Sequence, residues 1–175
     1  MLVVVTLLMA TGCSNQKLAT EPADALEANA KPPVLIQPNV EVGKVQKGMN
    51  QQQVEAAIGK PTKINGKWWY YQSRGLIVAF GENGVLFNIK CVPPFTGVTK
   101  EGIGIGSTRE ELIAAYGNPS EEKHFEGASS GAVYSATPVS GNGKKFDNLW
   151  FASLAISFDL QNDRVTSFIV HLDPR

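Results

Sequence analysis

Two segments of the chain match one another position by position, and this internal repeat constrains the fold more than any other feature. Residues Gly48–Pro61 read GMNQQQVEAAIGKP and residues Gly106–Pro119 read GSTREELIAAYGNP. The first glycine, the Ala-Ala pair, the second glycine and the final proline recur at a constant spacing of 58 residues. A chain that repeats in this way is expected to fold as two copies of one supersecondary unit.

Each copy carries the start and stop signals of a short α-helix. Asn50 and Thr108 are capping residues, and Gln53 and Glu111, three positions later, can close a capping box. A glycine and a proline end each copy, which is the usual signal for the end of a helix. The glycines that we expect to have positive φ at the helix ends are Gly59 and Gly117.

Segments rich in β-forming residues follow each helix. They are residues 67–71, 76–80 and 85–90 in the first copy, and residues 149–151, 154–159 and 165–172 in the second. Asn83-Gly84 is a hairpin signal, and the alternation along residues 154–159 predicts a sheet with one buried face and one face in water. The copies differ mainly in an insertion, residues 120–148, which contains two further candidate strands near residues 123–125 and 132–136.

These signals predict an α+β fold, with two tandem helix-plus-antiparallel-sheet repeats forming one curved sheet and the helices on one side of it. The motif GMNQQQV with its Gly-x-Pro ending, followed by a tyrosine-rich strand and a hairpin, resembles the SmpA/OmlA-type (BamE-like) outer-membrane lipoproteins. A tandem of two such units is similar in layout to the β-lactamase inhibitory protein. The resemblance implies one repeat at residues 42–98, a second at residues 99–175, a protein-binding role and no catalytic residue.

The amino terminus resembles that of a bacterial lipoprotein. Residues 1–10 are almost wholly apolar and too few to span a bilayer, and the sequence Ala10-Thr11-Gly12-Cys13-Ser14 resembles a lipobox. This resemblance implies a signal peptide at residues 1–12 and an acylated Cys13 at the start of the mature chain. The alternative is a frayed apolar terminus with an incidental cysteine.

Residues 13–41 are predicted to be the lipidated cysteine and a disordered tether. From Ser14 to Glu41 there are four prolines and no aromatic residue. Ser14 follows the cysteine, and the resemblance to Gram-negative lipoproteins implies that an aspartate in its place would be the signal for retention at the inner membrane. We therefore expect an outer-membrane lipoprotein that faces the periplasm, or, in a Gram-positive source, one on the outer face of the plasma membrane. The other cysteine, Cys91, is expected to be a small buried side chain without chemistry.

Composition and motifs favour no reaction and no nucleic acid. Sixteen basic and sixteen acidic residues give a formal net charge of zero, so no basic footprint for nucleic acid is present. Glu122, His124 and Glu126 alternate on a candidate strand and could be joined by His171, but two histidines in the whole chain favour a solvated strand over a metal site. We expect no metal, no cofactor and no enzymatic activity.

The consecutive aromatic residues Trp68, Trp69, Tyr70 and Tyr71 are the candidate binding face. Because strand side chains alternate, one pair is expected in the core, and the other lies under another element or forms an exposed patch for a partner. The leading hypothesis is a lipid-anchored protein-binding accessory or assembly factor of the cell envelope. The alternatives are an inhibitor of a secreted or periplasmic hydrolase that uses the insertion as its probe, and a small-molecule or cell-wall binding module.

Overall fold

The computed structural model describes residues 35–37, 41–126 and 145–172 of the chain. These residues all belong to one compact unit that begins at Pro33. The predicted signal peptide, Cys13, most of the predicted tether and the candidate strand at residues 132–136 lie outside the described residues. Three residues of the predicted tether, Leu35–Gln37, form a strand.

The described residues form twelve strands and two α-helices of eight residues each. In chain order they are β1 (Leu35–Gln37), β2 (Glu41–Val42), β3 (Val45–Gln46), α1 (Gln51–Ile58), β4 (Lys63–Asn65), β5 (Trp68–Tyr71), β6 (Leu76–Phe80), β7 (Leu86–Cys91), β8 (Val98–Thr99), α2 (Arg109–Tyr116), β9 (Glu121–Glu126), β10 (Lys145–Phe151), β11 (Ile156–Gln161) and β12 (Arg164–His171). Short 3-10 turns follow β5 and β10.

Eight strands build one continuous antiparallel sheet in the order β4-β5-β6-β7-β12-β11-β10-β9. The pairing of β7 with β12, with Cys91 opposite Phe168, joins two halves of four strands each. A smaller sheet has the order β3-β2-β1-β8 and contains one parallel pair, β1 with β8. The large sheet is therefore the scaffold on which the described side chains are arranged.

The two predicted helices and their caps are confirmed. In α1, the Asn50 side chain accepts a hydrogen bond from the backbone N–H of Gln53 at 3.0 Å, and the start of α2 has the same reciprocal capping box. Gly59 and Gly117 follow the helices with φ angles of 85° and 76°. A side chain is strained at such angles, which explains why glycine stands at both positions.

The predicted fold class is wrong, because the structure is mainly β rather than α+β. Each helix has only two turns, and α2 buries a single residue, Leu112, so the helices are too small to form a layer. The strands after each helix do not form separate units, since β7 and β12 pair and merge them into one sheet. The strands β1 to β4 and β8 add β structure that the sequence did not indicate. The molecule is not two tandem helix-plus-antiparallel-sheet repeats.

One face of the large sheet carries the hydrophobic core. Phe80, Phe158 and Phe168 are its largest fully buried side chains. Both helices and the strands β1 to β3 pack on this same face, and the residues that they add to the core are Ile36, Val42, Val45, Val54, Ile58 and Leu112. Burial of apolar side chains on this scale is the dominant stabilising contribution to folding.

Candidate functional site

The aromatic run forms β5, and alternation divides it between the two faces of the large sheet. Trp69 and Tyr71 belong to the core, where the Trp69 ring meets Phe80 edge-on at a centroid distance of 5.0 Å. Burial raises the pKa of the Tyr71 hydroxyl to about 12. These two members of the predicted binding face are therefore core residues.

Trp68 and Tyr70 point to the opposite face of the sheet. Trp68 is half-buried and Tyr70 is buried, with the Lys63 ammonium 5.7 Å from the centre of its ring. We call this side of the sheet the polar–aromatic face. The strand register defines which residues lie on this face, and none of these residues belongs to the core cluster. The residues of the polar–aromatic face are Trp68, Tyr70, Ile77, Ala79, Asn88, Lys90, Asn148, Trp150, Ser157, Asp159, Ser167, Ile169 and His171.

A buried carboxylate organises the centre of the polar–aromatic face. Asp159 accepts hydrogen bonds from the Ser167 hydroxyl at 2.7 Å and from the Asn148 amide at 2.8 Å. The ammonium of Lys90 lies 3.5 Å from the same carboxylate, and both side chains are 4% exposed. Because the two charges neutralise each other locally, the centre of the face carries polar groups without a net charge.

A second polar contact lies beside this centre and joins β11 to β12. The Ser157 hydroxyl is 3.2 Å from Nε2 of His171, and the His171 ring meets Trp150 edge-on at a centroid distance of 4.9 Å. Burial lowers the pKa of His171 to about 4, so the ring is neutral at pH 7. A serine beside a neutral imidazole has the contact of a nucleophile and a base, but a pKa near 4 makes this imidazole a weak base at neutral pH. We assign no reaction to it.

The prediction that one face of residues 154–159 lies in water is wrong. Ser157 and Asp159, which the alternation placed in water, are 7% and 3% exposed. Their hydrogen bonds to His171, Ser167 and Asn148 explain how polar side chains are tolerated there. Sequence reasoning missed these residues because serine and aspartate in an alternating strand are the usual pattern of a solvated face.

The candidate metal ligands on β9 fall on the other side of the sheet, near the start of α2. Oxygen or nitrogen atoms of Glu122, His124 and Asp147 lie within 4.8 Å of one another. Glu126 contributes no described side chain to this group, and His171 lies on the polar–aromatic face.

An arginine already occupies this cluster. The Arg109 guanidinium binds Glu122 at 2.6 Å, Asp163 at 2.9 Å and Asp147, which raises the pKa of Arg109. The contacts tie the first residue of α2 to β9, to β10 and to the turn before β12. Three carboxylates held by one guanidinium form a clamp between elements, and we assign no metal to it.

Comparisons with known proteins define no family for the chain. No family model matches it, and no curated protein matches it. A crystal structure of a DUF4309 family protein (YjgB) from Bacillus subtilis is similar over 75% of this chain and 83% of that chain, with 12% sequence identity and a TM-score of 0.44. A likeness at this level carries no argument, so the resemblance to the BamE-like lipoproteins and to the β-lactamase inhibitory protein stays a prediction.

The described helices do not include a membrane span. None of them, within residues 35–37, 41–126 and 145–172, is long and apolar enough to cross a bilayer.

Proposed function

We propose that this protein is a lipid-anchored binding protein of the bacterial cell envelope, in which the polar–aromatic face holds the ligand. Its role is that of an accessory or assembly factor for an envelope protein. The proposed location is the outer membrane facing the periplasm, or the outer face of the plasma membrane in a Gram-positive source. No catalysis, cofactor or metal is part of this proposal.

The observation that supports binding is the difference in composition between the two faces of the large sheet. Both helices and strands β1 to β3 add their buried side chains to the core face, and the side chains of the polar–aromatic face lie outside that core cluster. That face presents the half-buried indoles of Trp68 and Trp150, while its one buried ion pair is internally neutralised. Aromatic enrichment together with few free charges is the composition of interface centres.

The anchor rests on the sequence of residues 1–14, which lies outside the described residues. Globomycin treatment or Cys13→Ser is expected to prevent acylation and to move the protein from the membrane to the soluble fraction. Two or three acyl chains on one cysteine attach a protein stably, so the loss of one residue should suffice. If the Cys13→Ser protein still floats with membranes, the lipoprotein proposal is wrong.

The binding face is tested by removing its two half-buried indoles. We expect Trp68→Ala with Trp150→Ala to weaken a stoichiometric partner complex by about 2 kcal/mol or more while the protein stays folded. The complex is measured by quantitative immunoprecipitation of the tagged full chain from detergent-solubilised membranes. The matched control is Ile64→Ala with Ile113→Ala, which removes the two exposed large apolar side chains of the described residues, both outside this face. An unchanged complex in the tryptophan variant would contradict the proposal.

The alternatives from the sequence lead to different results in the same experiment. A hydrolase inhibitor would use the insertion at residues 120–148, so its target would be lost on changes there and kept in the tryptophan variant. A cell-wall binding module would bind a glycan without a stoichiometric protein partner. The density of amide, hydroxyl and imidazole groups on the polar–aromatic face favours the cell-wall binding module over the hydrolase inhibitor.

A further inference from the structure

The zero net charge of the chain conceals an uneven distribution of charge between the two halves of the large sheet. Residues 41–98, which contain β4 to β7, have seven Lys and Arg against three Glu, a formal net charge of +4. Residues 99–126 and 145–172, which contain β9 to β12, have five Lys and Arg against nine Asp and Glu, a formal net charge of −4. Because the strand order keeps each half together, the sheet has a basic end at β4 and an acidic end at β9.

The basic charge is concentrated at the edge strand β4. Residues 60–67 read KPTKINGK and contain Lys60, Lys63 and Lys67 without any acidic residue. This segment, which we call the basic edge, runs from the end of α1 through β4 to the turn before β5. All three lysines are exposed, and none of them makes an ion pair with another residue in the part of the chain that the structure describes. Their charge is therefore available to a partner.

An apolar side chain lies in the middle of the basic edge. Ile64 is 58% exposed, more than any other large apolar side chain of the described residues. It lies opposite Trp69 and so projects on the core-face side of β4, whereas its neighbour Lys63 lies opposite Tyr70 on the other side. One exposed isoleucine is ordinary on a protein surface. An isoleucine among three lysines is typical of surfaces that bind anionic membranes, where the apolar group reaches the acyl chains and the ammonium groups stay at the phosphates.

The acidic end of the sheet does not cancel the field of the basic edge. The edge strands β4 and β9 are seven strand spacings apart, which is about 33 Å along the sheet. The Debye length at physiological ionic strength is about 8 Å, so each edge is screened from the other. At the acidic end the basic side chains Arg109 and Lys123 are paired with Glu122 and Glu121. A negatively charged surface therefore attracts the β4 edge of the molecule and not the β9 edge.

We propose that the basic edge binds the anionic lipid headgroups of the membrane that carries the protein, so that β4 lies at the bilayer surface and β9 points away from it. The ammonium groups of the lysines pair with lipid phosphates, and the Ile64 side chain enters the boundary with the acyl chains.

The proposed lipid anchor makes this weak contact effective. A flexible chain of about 20 residues, the length of the predicted tether before β1, spans about 25 Å, so the basic edge can reach the bilayer. A tethered second contact acts at a high effective concentration. The inference rests on the proposed anchor for its location, and it does not depend on the use of the polar–aromatic face for binding.

The test is the binding of the full-length Cys13→Ser protein to two kinds of lipid vesicle. One kind is pure phosphatidylcholine, and the other contains about 30% phosphatidylglycerol, an anionic lipid. The substitution removes the acyl chains, and the apolar residues 1–10 are common to all of the proteins compared. Co-sedimentation at increasing lipid concentration gives the partition coefficient. We expect stronger binding to the anionic vesicles, and NaCl at about 1 M, where the Debye length is about 3 Å, should remove the difference.

Lys60→Gln with Lys63→Gln is the decisive variant, and Lys100→Gln with Lys123→Gln is its matched control in the acidic half. Each pair removes two exposed lysine charges, so both variants have the same net charge. The first pair should lower the partition coefficient on the anionic vesicles by about 20-fold, and the control pair should lower it by less than about twofold. Ile64→Ala should lower it by about fivefold, because less apolar surface enters the bilayer.

Equal binding to the two kinds of vesicle, or equal losses in the two lysine pairs, would overturn the inference. A protein partner that is lost from the Lys60→Gln and Lys63→Gln variant without any loss of vesicle binding would also overturn it, and would indicate an acidic protein at this edge. If that variant does not fold, Lys60→Gln with Lys67→Gln replaces it.

The lipid contact and the proposed function fail separately. High salt screens the lysines and leaves acyl chains in the bilayer, so the fractionation of the Cys13→Ser protein is read at about 1 M NaCl, where only the anchor holds a protein on membranes. The binding proposal fails when the Trp68→Ala and Trp150→Ala variant keeps its partner, whatever its binding to vesicles.

Discussion

The two halves of the large sheet each contain a row of three facing residues, one row across β5 to β7 and the other across β10 to β12. The two rows have the same register but different side chains. Asn148, Asp159 and Ser167, which we call the closed row, join an amide, a carboxylate and a hydroxyl through hydrogen bonds of 2.7 Å and 2.8 Å. Trp68, Ala79 and Asn88, which we call the open row, place an indole, a methyl group and an amide in the same order. The Asn88 amide makes no side-chain hydrogen bond within residues 35–37, 41–126 and 145–172. One backbone arrangement therefore carries a completed network on one side and an incomplete one on the other.

The two rows are expected to contribute differently to stability. A polar network that satisfies its own groups stabilises the strands that it joins and offers little to a ligand. An amide that makes no hydrogen bond within the described residues has the opposite effect, because a buried polar group without a partner lowers stability. Local departures from good folding chemistry of this kind are uncommon in the interior of a protein.

Breaking the closed row has the largest expected effect. Asp159→Ala leaves the Lys90 ammonium buried at 4% exposure without its carboxylate, which should cost about 3–5 kcal/mol of unfolding free energy. Chemical denaturation followed by circular dichroism measures it. Asn88→Ala in the open row is the matched comparison and should change stability by less than about 1 kcal/mol. If the two variants lose the same stability, the two rows do not differ as described.

Much of the sheet could be predicted from sequence because turn residues and alternation are local signals. The Asn83-Gly84 hairpin lies between β6 and β7 as predicted, and residues 121–126 form β9 around the candidate strand at residues 123–125. The strands β1 to β4 and β8 have two or three residues each, which is too short for any periodicity to be read. The α+β prediction is wrong because the two helix signals are clear but each predicts a helix of only eight residues, which is too short to form a layer on the sheet.

The candidate site was less predictable than the fold. The consecutive aromatic residues of β5 pointed to the right strand, but only the register shows that Trp68 lies on the polar–aromatic face and Trp69 in the core. Asn88 gave no sequence signal, since its unpaired state depends on Ala79 across the sheet. Contacts between strands that are distant in sequence decide such features, and composition or spacing does not contain them.

The two halves also differ in the residue that ends the 3-10 turn between matched strands. Gly75, between β5 and β6, has φ of 64°, and a Cβ there would lie 2.1 Å from the carbonyl oxygen of Val92 and 2.4 Å from the amide nitrogen of Phe95. Gly75→Ala should therefore cost about 3–4 kcal/mol, since backbone strain adds to overlap with backbone atoms that cannot move away. Thermal and chemical denaturation measure the loss. A well-folded Gly75→Ala protein of unchanged stability would contradict this packing.

Acid should act on the half that contains His171. The pKa of His171 is about 4 in the folded protein and 6.5 in the reference state, so the unfolded chain takes up the proton more readily. The free energy of unfolding that depends on neutral His171 is fully present above about pH 6.5. It is lost as the pH falls towards 4, up to a total of about 3 kcal/mol. Denaturation between pH 7 and pH 4 measures it. His171→Gln should flatten this part of the profile.

The smallest expected effect is at Ala155, the residue that ends the turn between β10 and β11. Ala155 has φ of 51° and ψ of 45°, the left-handed conformation that Gly75 adopts in the other half. An alanine there is strained by about 1–2 kcal/mol, while a glycine makes the unfolded chain more flexible and costs about 0.4–1 kcal/mol. Because the backbone strain of the alanine exceeds the entropic cost of the glycine, Ala155→Gly should stabilise the protein by about 0.5–1 kcal/mol. Denaturant titration resolves a change of this size. A destabilised Ala155→Gly protein would show that packing of the buried methyl group outweighs the backbone strain, and the two turns would then differ in packing as well as in conformation.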